Sequence, residues 1–245
     1  MTTTWIIGAS SGIGEALAFE LARRGETLIL SARNDKALTA IAGRLDGEGH
    51  RTLPLDITDA KAVTRAALEI AEVVGHVDRV LCFAGAYTPM KLGALDLKEV
   101  RQIIETNLLG AFNVTEAALT LLKAQGRGQI ALCASVAGYR GLPNGQPYAA
   151  TKAGVISLAT SLRAEHGDGL DIKVINPGFV KTRLTDKNGF EMPMMVTPEQ
   201  AAKAIADELD SKRFEIHFPK RFTLLAKLLS VLPDGLYFRA VKRMV

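Results

Sequence analysis

The sequence predicts an α/β fold: a doubly wound parallel sheet of about seven strands with helices on both faces, followed by a C-terminal helical tail. Three observations predict it. Short apolar runs (TTTWII, TLILSAR, RTLPLDIT, VDRVLCFAGA, GQIALCAS, LDIKVINP and FEIHFP) recur along the chain, most of them ending at glycine, proline or a polar turn. Helix-length stretches rich in alanine and leucine separate them, and this alternation implies right-handed crossovers between parallel strands. The residues able to do chemistry gather where the apolar runs end, which is where ligands bind in this architecture.

With 245 residues, 48% hydrophobic and 23% charged, the chain is long enough for one well-buried domain, expected over residues 1–245 with 220–245 as an amphipathic tail. Structure is expected to start almost at once after MTTT, with neither a charged leader nor an apolar signal segment. No apolar run approaches the about 20 residues that cross a bilayer. A cytoplasmic location is therefore expected. The net charge of +4 is concentrated in the tail, where Lys220, Arg221, Lys227, Arg239, Lys242 and Arg243 meet a single acid, Asp234. A terminal patch of this kind, without a broad basic face or stacking aromatics, argues against nucleic-acid binding. Cys82 and Cys133 lie in separate apolar runs and read as reduced, buried thiols. His50, His76, His166 and His217 occur singly, so no metal site is expected.

Thr4 to Ile7 is the first strand, and it breaks into GASSGIG before the helix EALAFELARR. Glycines at 8, 12 and 14 let the backbone approach a ligand, and a helix N-terminus attracts anions, so the turn reads as a phosphate cradle. A tight packing turn is the plainer reading. The second strand ends at Arg33, about twenty residues on, where an acid would hold the ribose hydroxyls of NAD. A cation there suits the 2′-phosphate of NADP; a solvated strand-end charge is the alternative. Asn34 and Asp35 fit capping roles for the next helix. RTLPLDIT is the third strand, with Asp56 at its end, and VDRVLCFAGA the fourth, ending in Ala84 and Gly85. A helical span from about Leu97 to Gln125 carries Asn107 near its middle, a polar side chain that needs partners if buried.

GQIALCAS and LDIKVINPGFVKT supply strands five and six. RLTDKNGFEMPMMV then loosens the rhythm, and Met192, Met194 and Met195 read equally as a lid over an apolar substrate or as a core cover. TPEQAAKAIADELDS is a helix capped by Thr197 and Pro198, and FEIHFP the last strand. In the tail, Phe222, Leu225, Leu229 and Leu232 share one helix face, and Pro233 to Gly235 make a break. Flanking basic residues would suit weak peripheral contact with an anionic membrane; packing on the domain or a dimer partner is the plainer reading.

The stretch ASVAGYRGLPNGQPYAATK brings a hydroxyl at a strand end, Ser135, into sequence with Tyr148 and Lys152 on a small-residue helix. Four residues apart, Tyr148 and Lys152 project from one helix face. A phenol has an ordinary pKa of about 10, a neighbouring ammonium favours its ionised form, and a serine hydroxyl could hold a substrate oxygen beside it. An ordinary helix pair is the alternative, and context decides between them.

These residues resemble the short-chain dehydrogenase/reductase family, in its single-domain group with a GxxxGxG turn. The match runs from Trp5 to Thr182: GASSGIG, Asp56, the AGA at Ala84 to Ala86, NLLG at Asn107, Ser135 thirteen residues before Tyr148, YxxxK, and PGFVKT, all in order. The resemblance implies a Rossmann-like fold and a catalytic group of Ser135, Tyr148 and Lys152, with Asn107 supporting a proton relay through water to Lys152. It implies NADP(H), favoured over NAD(H), over Gly8, Ser10, Ser11, Gly12, Ile13 and Gly14. Further cofactor contacts follow at Arg33 (the 2′-phosphate), Asp56 (the adenine), Ile57, Ala84, Gly85, Lys152, Pro177, Gly178, Val180 and Thr182. The family usually has Thr before the first glycine and Asn before the AG pair; here these are Ile7 and Phe83. Because FEIHFP leads into a basic amphipathic tail, a homodimer through the long helices is expected in place of a tetramer.

The expected activity is hydride transfer between NADPH and a carbonyl or secondary alcohol, with an apolar or bulky substrate met by Val136, Tyr139, Leu142, Phe179 and the methionine segment. The rival from another class is a non-catalytic dinucleotide-binding sensor or scaffold, since fold alone does not establish function.

Overall fold

The strands are β1 (Thr3–Ile7), β2 (Thr27–Ser31), β3 (Arg51–Thr52), β4 (Arg79–Cys82), β5 (Gln129–Cys133), β6 (Asp171–Pro177) and β7 (Glu215–Phe218). All pair in parallel, in the order β3-β2-β1-β4-β5-β6-β7. The structure, a computed structural model, describes residues 2–187, 189 and 192–242. The helices are α1 (Gly12–Arg23), α2 (Asp35–Ala42), α3 (Ala60–Val73), α4 (Leu97–Ile104), α5 (Gly110–Gln125), α6 (Tyr148–His166), α7 (Pro198–Glu208), α8 (Lys220–Ser230) and α9 (Asp234–Val241).

Alternation along β1 divides the core. Trp5 and Ile7 join residues of α3, α5 and α6 on one face of the sheet, while Ile6 joins α1, α2 and α7 on the other. Both faces are covered, which is why the central strands read as continuous apolar runs without a polar side. Each fully buried Leu or Ile contributes roughly 1.5–3 kcal/mol of transfer free energy. The sheet reverses its order between β1 and β4, so the chain leaves the sheet in opposite directions on either side of that pair and opens a crevice at their C-terminal ends.

Two elements differ from the sequence reading. The third strand is regular only over Arg51–Thr52, although Leu53 and Leu55 still donate to the carbonyls of Leu30 and Ala32; Pro54 between them faces the open edge of the sheet, where a missing N–H costs no ladder bond. The span from Leu97 to Gln125 is helical throughout but widens into a π-turn at Glu105–Leu109, around Asn107. Such a bulge re-aims a side chain within a helix. Elsewhere local chemistry behaves as read: Thr197 and Gln200 close a reciprocal capping box at α7, and Asn34 accepts from the Ala37 N–H at α2.

The glycine turn packs with no room for a side chain. Gly8 has φ +92°, and a Cβ there would lie 2.5 Å from the Ala84 nitrogen; one at Gly14 would lie 2.3 Å from the Gly8 oxygen. Gly8→Ala is therefore expected to lower the unfolding midpoint by roughly 5–10 °C, read by differential scanning calorimetry. A midpoint within a degree of wild type would mean that the turn relaxes around the methyl group.

Candidate active site

Every residue expected at a cofactor, from Gly8 and Ser10 through Arg33, Asp56 and Gly85 to Thr182, lines one crevice of about 850 Å³, together with Ser135, Tyr148 and Lys152. That volume suits a ligand of dinucleotide size. At its floor, Ser11 begins α1 in an extended conformation and its hydroxyl caps none of the helix N–H groups. The first-turn donors of α1 stay available to an anion, and the glycine turn leaves room beside them, so the residues present fit a dinucleotide phosphate. Asp56 accepts from the Thr58 N–H (2.9 Å) and hydroxyl (2.8 Å), which fixes the turn after β3 while the residue lines the crevice. Arg33 stands at the end of β2 with Asn34, Asp35 and Lys36.

Ile7 and Phe83 replace polar residues common in the resembling family, and main-chain bonds hold the backbone in their place. Gly8 and Ala9 donate to the Ser31 carbonyl (2.7 and 3.1 Å), and Phe83 donates to that of Ile7 (2.7 Å). Ile7 is buried in the core on one face of the sheet, Phe83 is partly buried against the core on the other, and both line the crevice.

At the inner end, Lys152 is buried and its Nζ donates to the Cys133 carbonyl at 2.8 Å, 5.6 Å from the centre of the Tyr148 ring. Ser135 accepts from the Ala137 N–H (3.1 Å), which pins the hydroxyl at the start of a 3-10 turn. Burial pushes the Tyr148 phenol above its ordinary value; the Lys152 ammonium and the Ser135 hydroxyl pull the other way without reversing it. The sequence reading stressed the ammonium, whereas desolvation, with Tyr87 packed against the ring at a centroid distance of 5.1 Å, is the larger effect. Tyr148 is thus a protonated phenol at neutral pH. Burial also raises both thiols, Cys82 to about 11, so neither is a poised nucleophile, and both cysteines are free.

Asn107 sits behind this group. Its Oδ1 accepts from the Ala86 N–H (2.7 Å), and its Nδ2 donates to the Ala86 carbonyl (2.9 Å) and the Thr151 hydroxyl (3.1 Å). The side chain therefore ties the loop after β4 to α6, one residue from Lys152. The sequence carried a signal for this, a polar side chain near the middle of a long helical span, but not its partners.

Val136, Tyr139, Leu142 and Phe179, expected as a substrate wall, lie just outside the lining of the crevice. The Tyr139 hydroxyl donates to Glu215 on β7, where Asn176 (2.8 Å) and Lys227 (2.5 Å) also bind that carboxylate. Thr106 lines the crevice and escaped the sequence reading, while Phe83 and the first residues of the expected lid segment, Arg183, Leu184 and Thr185, line it as well. Of the expected lid, Asn188, Phe190 and Glu191 lie outside the described residues; Lys187 donates to the Tyr87 carbonyl (2.7 Å), and Val196 bridges to Val180.

The family model described as short chain dehydrogenase matches residues 2–193. An uncharacterized oxidoreductase of Myxococcus xanthus is 32% identical over 245 residues, covering 99% of this chain and 97% of its own. Another from Mycobacterium tuberculosis is 33% identical over 238 residues, covering 94% of each. Among solved structures, an alcohol dehydrogenase of the archaeon Thermococcus sibiricus complexed with 5-hydroxy-NADP is 30% identical with a TM-score of 0.80, covering 89% of this chain and 96% of its own.

Proposed function

From the premise that this chain belongs to the short-chain dehydrogenase/reductase family, a nicotinamide-dependent oxidoreductase by descent, we propose that it transfers hydride between NADP(H) and an apolar or bulky carbonyl or secondary alcohol. One observation carries the reading: Ser135, Tyr148 and Lys152 line the same crevice as the glycine turn and Arg33. The bound nicotinamide would supply or accept the hydride. The chain's own residues do the rest. Gly8, Ser10 to Gly14 and the open first turn of α1 hold the phosphates, and Arg33 meets the 2′-phosphate. Ser135 donates to the substrate oxygen, Tyr148 moves the proton at that oxygen, and Lys152 favours the charge that proton transfer leaves on the phenol. Asn107 holds the Ala86 loop and α6 at a fixed distance, the setting for a water-borne relay to Lys152.

NADP over NAD is supported by Arg33 at the end of β2, with Lys36 also lining the crevice and Asp35 placed at the start of α2, and by the NADP analogue in the Thermococcus enzyme. A homodimer is the assembly we favour, because Leu97, Ile104, Leu109 and Phe112 are exposed along the run from α4 to α5. The cytoplasm is the proposed location, with weak membrane contact through the tail. NADPH oxidation against a panel of ketones and aldehydes tests the activity, and cofactor binding without turnover of any of them would leave the sensor reading in its place.

Tyr148 also sets a pH dependence. Its phenol must be protonated to serve reduction, and burial raises its pKa above 10.0. The kcat/KM for reduction is expected to stay flat with respect to this group through neutral pH and to fall about tenfold per unit above its pKa. For oxidation, which needs the phenolate, the rate rises with pH over the same range. A pH-rate profile for reduction that fell with an apparent pKa near 7 would contradict the burial of Tyr148.

A further inference from the structure

The tail has an inner face and an outer face, and each has a distinct use. On the inner side, Phe222 of α8 stacks against Phe179 with ring centroids 5.2 Å apart and covers Gly178, which lines the crevice. Five residues beyond Ser135, Arg140 donates to the Ser230 and Leu232 carbonyls (3.2 and 2.6 Å) and to Asp234 (2.5 Å), with its guanidinium 3.8 Å above the Tyr237 ring. Tyr237 in turn donates to the Gly141 carbonyl. The tail therefore packs behind Gly178, next to the crevice, and clasps the loop that carries Ser135.

On the outer side, the face expected from Phe222, Leu225, Leu229 and Leu232 divides. Phe222, Leu229 and Leu232 are half-buried, and the exposed stripe on α8 runs instead through Leu224, Leu225 and Leu228 with Arg221 among them, continuing to Val231, which is 75% exposed. On α9, Leu236 and Phe238 are exposed beside Arg239 and Lys242. Among the described residues no acid pairs with Arg221, Arg239 or Lys242, while Asp234, the tail's single acid, is held by Arg140. A surface that is apolar and carries unpaired cations complements an anionic lipid interface, where leucine and phenylalanine enter the acyl boundary and the cations meet headgroups. A second copy of the same surface would bring like charges together.

We propose that α8–α9 docks the protein on anionic lipid surfaces, so that the crevice takes carbonyl compounds dissolved in the bilayer. The substrate class rests on the hydride-transfer reading above; the docking does not. Exposed Met194 and Met195 precede Val196, whose N–H bonds to the Phe179 carbonyl (3.0 Å), so further apolar surface lies on the same flank of the crevice. Held against a bilayer by this flank, the crevice would receive an apolar chain without passing it through water.

The test is vesicle flotation of the full chain, comparing phosphatidylcholine alone with phosphatidylcholine containing phosphatidylglycerol, for wild type and for L225E/L228E. Both leucines are about 60% exposed, so the variant is expected to fold and to reduce a water-soluble ketone at the wild-type rate. Wild type should float with the anionic vesicles and lose binding at high salt; the variant should bind at least about tenfold more weakly and lose its advantage on a vesicle-embedded long-chain ketone. Equal flotation of wild type and variant, or none by either, overturns the proposal. So does a fall in oligomer size of the variant with no lipid binding by wild type, which would assign the stripe to a second copy. Flotation that persists with no NADPH oxidation by any carbonyl would uphold docking and overturn the redox reading instead.

Discussion

Replacing Tyr148 by Phe is expected to lower kcat by about 10³-fold while NADPH affinity stays within a factor of about two. In the proposed reaction the phenol moves a proton at the substrate oxygen, and phenylalanine removes that proton while keeping the ring that packs edge-on against Tyr87. Ser135 and Lys152 remain in place, since Lys152 is held by the Cys133 carbonyl and Ser135 by the Ala137 N–H. Stopped-flow turnover and fluorescence titration of NADPH give the two numbers. Turnover within tenfold of wild type would remove Tyr148 from proton transfer. A parallel loss of NADPH binding would mean that the ring, and not its hydroxyl, supports the site.

Arg33→Asp is expected to reverse the cofactor preference, reducing the ratio of kcat/KM with NADPH to that with NADH by about 10² or more. A charge-assisted contact to a phosphate is worth about 1.5–3 kcal/mol, roughly 10- to 150-fold, and the new carboxylate adds repulsion against the 2′-phosphate. The same carboxylate can accept from ribose hydroxyls, so activity with NADH should rise even as activity with NADPH falls. Asp35 and Lys36 also line this end of the crevice, which makes the double ratio of efficiencies the measurement to trust over either KM alone. An unchanged ratio would assign specificity to Lys36 or to the backbone.

Much of the fold was legible because it is written in local chemistry. Parallel strands buried on both faces must be continuous apolar runs, so Trp5 to Ile7 and Ile130 to Leu132 announce themselves. The glycine turn was legible because close main-chain approach excludes Cβ, as it does at Gly8 and Gly14. The crevice was legible at strand ends because strand order and right-handed crossovers force those ends to one side of the sheet. What escaped is longer in range. Nothing local distinguishes Thr106 as crevice lining, or joins Tyr139 to Glu215 across 76 residues of sequence.

Sequence by itself determined the order of strands and helices, the phosphate-suited turn, and the four-residue spacing that puts Tyr148 and Lys152 on one face. These depend on interactions between near neighbours, or on apolar patterns that any burial would satisfy. Only the tertiary structure decided that desolvation outweighs the Lys152 charge at Tyr148, that Asn107 is spent on Ala86 and Thr151, and that the tail turns Phe222 inward and Leu225 and Leu228 outward. Each of these depends on which distant groups surround a side chain, because solvent exclusion and hydrogen-bond partners are set by segments far apart in the chain.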